Sequence, residues 1–173
     1  MADDGDAPTP ATPKVTYIDL EFDTVPNRGA PLGDIASSLV CLHDLLRDLA
    51  TLAAYPSGAE FREIQVVAIE MRTPLKVKLS LLAISAEAVR AFQEICRDVI
   101  RFRQRRSHQA ALPDSGREAI DAKRLANIKT ALDLVLHGEG TDGRITEKEA
   151  QRLYGHIVTL QNAEVPLKRV VVR

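Results

Sequence analysis

The side chains from which this chain could build chemistry are four histidines, two cysteines and a run of arginines. Their spacing is poor for catalysis. Cys41 and His43 are two positions apart, and residues i and i+2 on a helix do not face each other, so they form neither a dyad nor a chelate. His43 adjoins Asp44 on the same predicted helix and reads as a core-edge residue. Cys96 sits beside an apolar stripe, where a small buried hydrophobe is the expected role. His137 and His156 flank a turn and, with Glu149, could approach one another, but the spacing matches no zinc pattern. Ser37-Ser38 and the PSG at 56–58 lack a G-x-S-x-G context, and no P-loop, dinucleotide fingerprint or H-E-x-x-H occurs. The expectation is no catalytic residue, no cofactor and no metal, and a protein that leans away from being an enzyme.

The arginines are the stronger chemical feature. The stretch RDVIRFRQRRSH, 97–108, carries Arg97, Arg101, Arg103, Arg105 and Arg106 against Asp98. Arg97, Arg101 and Arg105 lie one above another at i, i+4 spacing. The apolar stripe of this helix ends at Phe102, so the last two turns are expected to extend into water. Such an end offers contact to an anion or a nucleic-acid backbone. It equally suits a solvated helix C-terminus, where cations complement the dipole. A net charge of −1 and the lack of interleaved aromatics other than Phe102 weigh against nucleic acid.

Residues 137–149, HGEGTDGRITEKE, hold a third candidate. With Gly143 at position 6, Asp142, Ile145, Thr146 and Glu149 fall at positions 5, 8, 9 and 12 of a twelve-residue loop that resembles an EF-hand calcium loop. Positions 1 and 3 are then Gly138 and Gly140, which carry no side-chain oxygen, whereas Ca²⁺ needs six to eight oxygen ligands. The same letters read fully as a turn and a helix start. Gly138 ends one helix, Asp142-Gly143 is a turn pair, and Thr146 with Glu149 forms a T-x-x-E capping box preceded by Ile145. The degenerate loop residues Asp142, Thr146 and Glu149 are therefore not taken as metal ligands.

The elements that must position these groups follow from hydrophobic periodicity. Lys14–Phe22 alternates, with Ile18, Leu20 and Phe22 on its apolar side. Leu32–Tyr55 is a long helix whose stripe is Ile35, Leu39, Leu42, Leu46, Leu49 and Ala53, widened by Val40, Leu45 and Leu52. Phe61–Arg72 and Leu75–Ala83 read as strands joined by a tight RTP connection, with Leu75, Val77, Leu79 and Leu81 facing in and Lys76, Lys78 and Ser80 facing out. Three helices follow: Ala86 to about Gln109; roughly Arg117–His137, with Leu125, Ile128, Leu132 and Val135; and Thr146 to about Asn162, with Ala150, Leu153, Ile157 and Leu160. Matching 4-3 spacing on the first two favours direct antiparallel packing. Val170–Val172 after Pro166 read as a terminal strand.

The order β-α-β-β-α-α-α-β predicts an α+β fold, a small, mainly antiparallel sheet covered by helices, with a C-terminal helical hairpin. Residues 1–13, acidic and Pro-rich, are expected to form a disordered tail before a single α+β domain over 14–173, with 86–163 as a helical subregion and 165–173 as the terminal strand. The 173 residues are 45% apolar and 27% charged but only 4% aromatic, with no Trp, so the core must be built from Leu, Ile, Val and Ala. Arginine outnumbers lysine 16 to 7, a bias expected of a GC-rich bacterial genome. Two cysteines 55 positions apart make no disulfide framework, and with no secretory signal a cytoplasmic location is expected. No stretch is apolar for long enough to span a bilayer. The functional expectation is a non-enzymatic binding or accessory module working through self-association or docking on a larger protein, with no membrane contact. The alternatives are a nucleic-acid-binding regulator using 97–106, and an enzyme with an unrecognised site.

Overall fold

The computed structural model describes residues 15–24, 31–54, 63–109, 123–133 and 145–173. The N-terminal tail and the glycine-rich stretch 138–144, on which two of the expectations fall, lie outside the described residues. The elements are β1 (Val15–Phe22), α1 (Leu32–Ala54), β2 (Glu63–Glu70), β3 (Leu75–Leu82), α2 (Ala86–Gln109), α3 (residues 123–133), α4 (Glu147–Asn162) and β4 (Leu167–Val172). This is the expected α+β order.

The sheet runs β2-β3-β1-β4, and every neighbouring pair is antiparallel. β1 is central because its alternation supplies a wholly apolar face: Ile18, Leu20 and Phe22 are fully buried. Opposite them on β3 stand Leu79, Val77 and Leu75, and on β4 Val172, Val170 and Leu167. The terminal strand is held beyond the ladder by reciprocal bonds between Tyr17 and Arg173, at 3.0 and 2.8 Å. Period-2 side-chain alternation sends the polar set to the other face. There acidic and basic strands alternate: Glu70 stands beside Lys76, which stands beside Glu21, which stands beside Arg169. Arg173 Nε lies 2.9 Å from Asp19 Oδ2. Cross-strand pairs of opposite charge suit a solvated face, and the helices cover only the apolar one.

Their stripes close the core. Leu42, Leu45, Leu46 and Leu49 of α1, Ala88, Phe92 and Val99 of α2, and Ala150, Leu153 and Ile157 of α4 are all buried. Leu132 of α3 joins the same cluster, so the helical hairpin folds back onto the body of the protein. One expected stripe residue departs from this: Val40 is 59% exposed. It sits on a flank of α1 that no other element covers among the described residues, so there its apolar character widens no contact. α2 begins with Ser85, whose Oγ accepts from the Ala88 N–H at 3.1 Å, the bond expected of an N-cap.

α4 starts where the T-x-x-E box requires. Thr146 is its N-cap in extended conformation, and both halves of the capping box are present. The Thr146 N–H donates to Glu149 Oε2 at 2.8 Å, and the Glu149 N–H donates to Thr146 Oγ1 at 3.3 Å. Ile145, just before the cap, is buried, and its N–H donates to Asp133 Oδ1 of α3 at 3.0 Å.

Candidate functional site

Three places collect the side chains that could recognise or react. The first is the basic end of α2, which the fold divides. Arg97 turns to its own helix and pairs with Glu94 at 2.6 Å. Arg103 turns the other way: its Nη1 donates to the backbone carbonyls of Gln161, at 3.1 Å, and Ala163, at 2.6 Å. There it satisfies carbonyls left open at the C-terminus of α4, a structural task. Arg101 and Arg105, one turn apart, face the seam between α2 and α3 together with Lys123, Arg124 and Asn127. Arg106 lies on α2, but its side chain is outside the described residues.

Arg124 anchors that seam. Its guanidinium bonds to Asp98 and donates to Gln161 Oε1 at 3.0 Å, and it stacks over the Phe102 ring at 4.2 Å from the centroid. Only 13% of the side chain is exposed. A planar cation on an aromatic face is favourable, more so when partly desolvated. The two helices meet through Arg124, which bonds Asp98 and stacks on Phe102, and further along Leu132 lines the same cleft as Ala91 and Ile95, an antiparallel arrangement. Arg124 and Lys123 were missed in the sequence because their helix starts in a polar stretch whose facing is undetermined without the partner helix.

The second place joins α1 to α4. The buried Asp48 carboxylate accepts from Arg152 Nε at 2.8 Å and from His156 Nε2 at 3.1 Å. A carboxylate can only accept, so Nε2 carries the proton. The opposite ring nitrogen, Nδ1, lies 3.9 Å from Cys41 Sγ. Cysteine, histidine and aspartate are thus in series, in the order that nucleophilic catalysis uses. The sulfur, however, points its S–H at the His156 carbonyl oxygen, 3.4 Å away. Burial, reinforced by the Asp44 charge, pushes the Cys41 thiol up to about 11. The nucleophile would be the thiolate, and at neutral pH this thiol stays protonated. The series works instead as a clasp between two helices. Nothing in the sequence flagged it, since Cys41 and Asp48 lie 115 and 108 positions from His156. Cys96 is fully buried and its thiol is likewise pushed up by desolvation, in keeping with a small hydrophobe. His43 is exposed, bonded to its neighbour Asp44 at 3.2 Å, and turned away from Cys41's buried side. His108 and His137 fall among the side chains outside the described residues.

The third place is the β2 edge. Among the described residues, β2 has no strand on its outer side. Ile64, Val66 and Ile69 stand opposite Leu81, Leu79 and Val77, on the face that the helices cover elsewhere. Yet Val66 is 54% and Ile69 50% exposed, while their β3 partners are 4% and 1% exposed. Val67 and Met71 are exposed as well. Four of the eight large hydrophobics exposed on the described surface therefore cluster on this one strand and the residue after it. The register shifts between Val66 and Ala68, so Val67 is the extra residue of a β-bulge. The doubled valine in EIQVVAIE was the sequence signal, because it breaks period-2 alternation.

Of the degenerate loop residues, Glu149 is engaged with Thr146 as described, and Asp142 lies outside the described residues. Among the described residues no three His, Cys, Asp or Glu side chains converge as a metal site would require, and no helix is long and apolar enough to cross a membrane. No family model, no curated protein and no solved structure matches the chain.

Proposed function

We propose that this chain is a non-enzymatic binding module that associates with a second copy of itself by adding one β2 edge to another. The observation that carries this reading is the exposed apolar row Val66, Ile69 and Met71, continued by the half-buried Ile64, along an edge that is unpaired among the described residues. Natural sheets normally cover, shorten, bulge or charge such an edge, because it templates pairing with another chain; β2 carries a bulge at Val67 yet leaves Val66 and Ile69 bare. Strand addition is a recurrent recognition mode, with main-chain bonds for affinity and alternate side chains for specificity.

The bulge and the charges select a register. Beyond Val67 the side-chain parity flips, so residues 64, 66 and 69 share one face. An antiparallel pairing about a two-fold axis between Val67 and Ala68 sets Val66 against Ile69 of the other copy, Gln65 against Glu70 and Glu63 against Arg72. Apolar meets apolar, and a carboxylate meets a guanidinium twice, as an isologous interface requires. Moving the axis back by one residue sets Glu63 against Glu70, a like-charge pair that is destabilising.

Sedimentation equilibrium at micromolar to submillimolar concentration tests the reading. The native chain is expected to dimerise. Ile69→Lys should leave a folded monomer. Glu63→Arg and Arg72→Glu should each weaken the dimer, and the double exchange should restore it. A native chain that stays monomeric throughout, or a dimer indifferent to all of these changes, would defeat the proposal. The nucleic-acid reading of 97–106 is less well supported, because Arg97 and Arg103 are already engaged within the fold. The enzyme reading is also less well supported, because among the described residues the best-placed nucleophile, Cys41, is held as a thiol.

A further inference from the structure

The seam between α2 and α3 opens into two adjoining clefts of about 350 Å³ each. Asp98, Arg101, Arg124 and Asn127 line both, so the two are one continuous groove. Its ends differ in chemistry. One end is floored by Ile95, Ile128, Leu132 and Ile157, and its lining includes Glu94, whose carboxylate is paired with Arg97. At the other, Arg101, Arg105, Lys123 and Arg124 surround the single carboxylate of Asp98. That carboxylate is bonded to Arg124. Arg101, Arg105 and Lys123 make no ion pair among the described residues. Three cations from two helices thus converge on one mouth with no counter-charge of their own, beside the Asn127 amide.

We infer that this groove binds a small amphiphilic anion: a single apolar chain carrying a carboxylate or phosphate head. The head would lie at Arg101, Arg105 and Lys123, where charge-assisted hydrogen bonds are strong. The chain would lie along Ile95, Ile128 and Leu132. Pockets of this size, mostly apolar with a few convergent polar groups, are the usual form of small-ligand sites. The Arg124–Asp98–Gln161 contacts hold the two walls in place, so the mouth is formed before any ligand arrives. This site is separate from the β2 edge, and either can fail without the other.

The test is calorimetry with backbone-amide NMR on the full chain, using decanoate, decyl phosphate, decanol, inorganic phosphate and a short oligothymidylate as probes. Both decyl anions, kept below their micelle-forming concentrations, should bind and perturb amides near Arg101, Asn127 and Ala131. Decanol and inorganic phosphate should each bind at least about tenfold more weakly, the scale of losing charge-assisted bonds or apolar burial. Decanoate binding equal to decyl phosphate points to a carboxylate source, and a preference for the phosphate to a phosphoryl one; both support the site. Arg101→Gln with Arg105→Gln should weaken the anions at least about tenfold and leave decanol unchanged. Ala131→Phe, at an exposed lining position, should block the chain end while leaving the fold intact by circular dichroism. The inference is overturned if neither decyl anion binds, if decanol binds as tightly as they do, or if the perturbed amides lie elsewhere. It is equally overturned if oligothymidylate binds more tightly than decanoate with a steep salt dependence, which would make the mouth a nucleic-acid contact.

Discussion

The sheet ends in two edges of opposite kinds. β4 is short, and its inward residues Leu167, Val170 and Val172 pack on the core, where α2 lies directly over the strand. β2 is longer; its first inward residue, Ile64, packs on the core, but Val66 and Ile69 are half exposed. Both strands present apolar side chains to the same face of one sheet, so composition does not separate them. What differs is reach. The helices pack on one another and towards β4, and beyond Ile64 their cover over β2 gives out. Apolar burial is worth roughly 25 cal/mol per Å² removed from water, so β4 contributes to the stability of the monomer in a way that β2 cannot until something covers it.

Substitutions should therefore behave differently on the two sides, and the largest contrast is between Leu167 and Ile69. Leu167→Ala empties a buried site and should cost about 2–5 kcal/mol, measured by urea denaturation. Ile69→Ala, on the bare edge, should cost well under about 1 kcal/mol in dilute solution and show itself in association. Equal losses at both positions would break the contrast.

The next effect tests the covered side at the α1–α4 clasp. The Cys41 thiol is raised from 9.0 to about 11 in the folded state. The folded protein then holds this proton more tightly than the unfolded chain. Its contribution is complete below pH 9, and stability is lost as pH rises from there through the folded value near 11. This difference in proton affinity is worth at most about 3 kcal/mol. Cys41→Ala should flatten part of this alkaline limb, while Val66→Ala should leave it unchanged. An alkaline limb identical in the native chain and Cys41→Ala would contradict the burial of this thiol.

A smaller loss is expected at the start of α4. Thr146→Ala removes the capping bonds and should lower stability by about 1 kcal/mol, read as a fall in Tm. Millimolar Ca²⁺ is expected to leave the native Tm unchanged, and a clear calcium-dependent rise would reinstate the loop reading of 138–149. The smallest effect is expected from Val40→Ser, because that side chain is 59% exposed; a change beyond about 0.5 kcal/mol would mean that the flank of α1 is covered in solution.

Much of the fold was legible because it is written in local periodicity. The alternation of Ile18, Leu20 and Phe22 specifies a strand with one buried face, and the 4-3 spacing of Leu42, Leu46 and Leu49 specifies a buried helical stripe. The capping box at Thr146 was equally local, since its groups lie three residues apart. The candidate sites were legible only in part. The arginine run was visible as charge, but its division was not. Arg103 is drawn to the end of α4 and Arg97 to Glu94, leaving Arg101 and Arg105 at the mouth, and those destinations depend on which helix packs alongside. Val40 shows the same limit on the apolar side, as periodicity places a residue on a flank without saying whether anything will meet it.

The amino-acid sequence by itself determined the elements, their order and their buried faces, because these depend on contacts within a few residues along the chain. Tertiary structure alone decided which strand became the bare edge, which cations converged on the α2–α3 groove, and that Cys41, Asp48 and His156 would meet across more than a hundred residues. Those outcomes rest on how far helices of given length extend over a sheet of given order, a property of the packed whole that no local pattern carries.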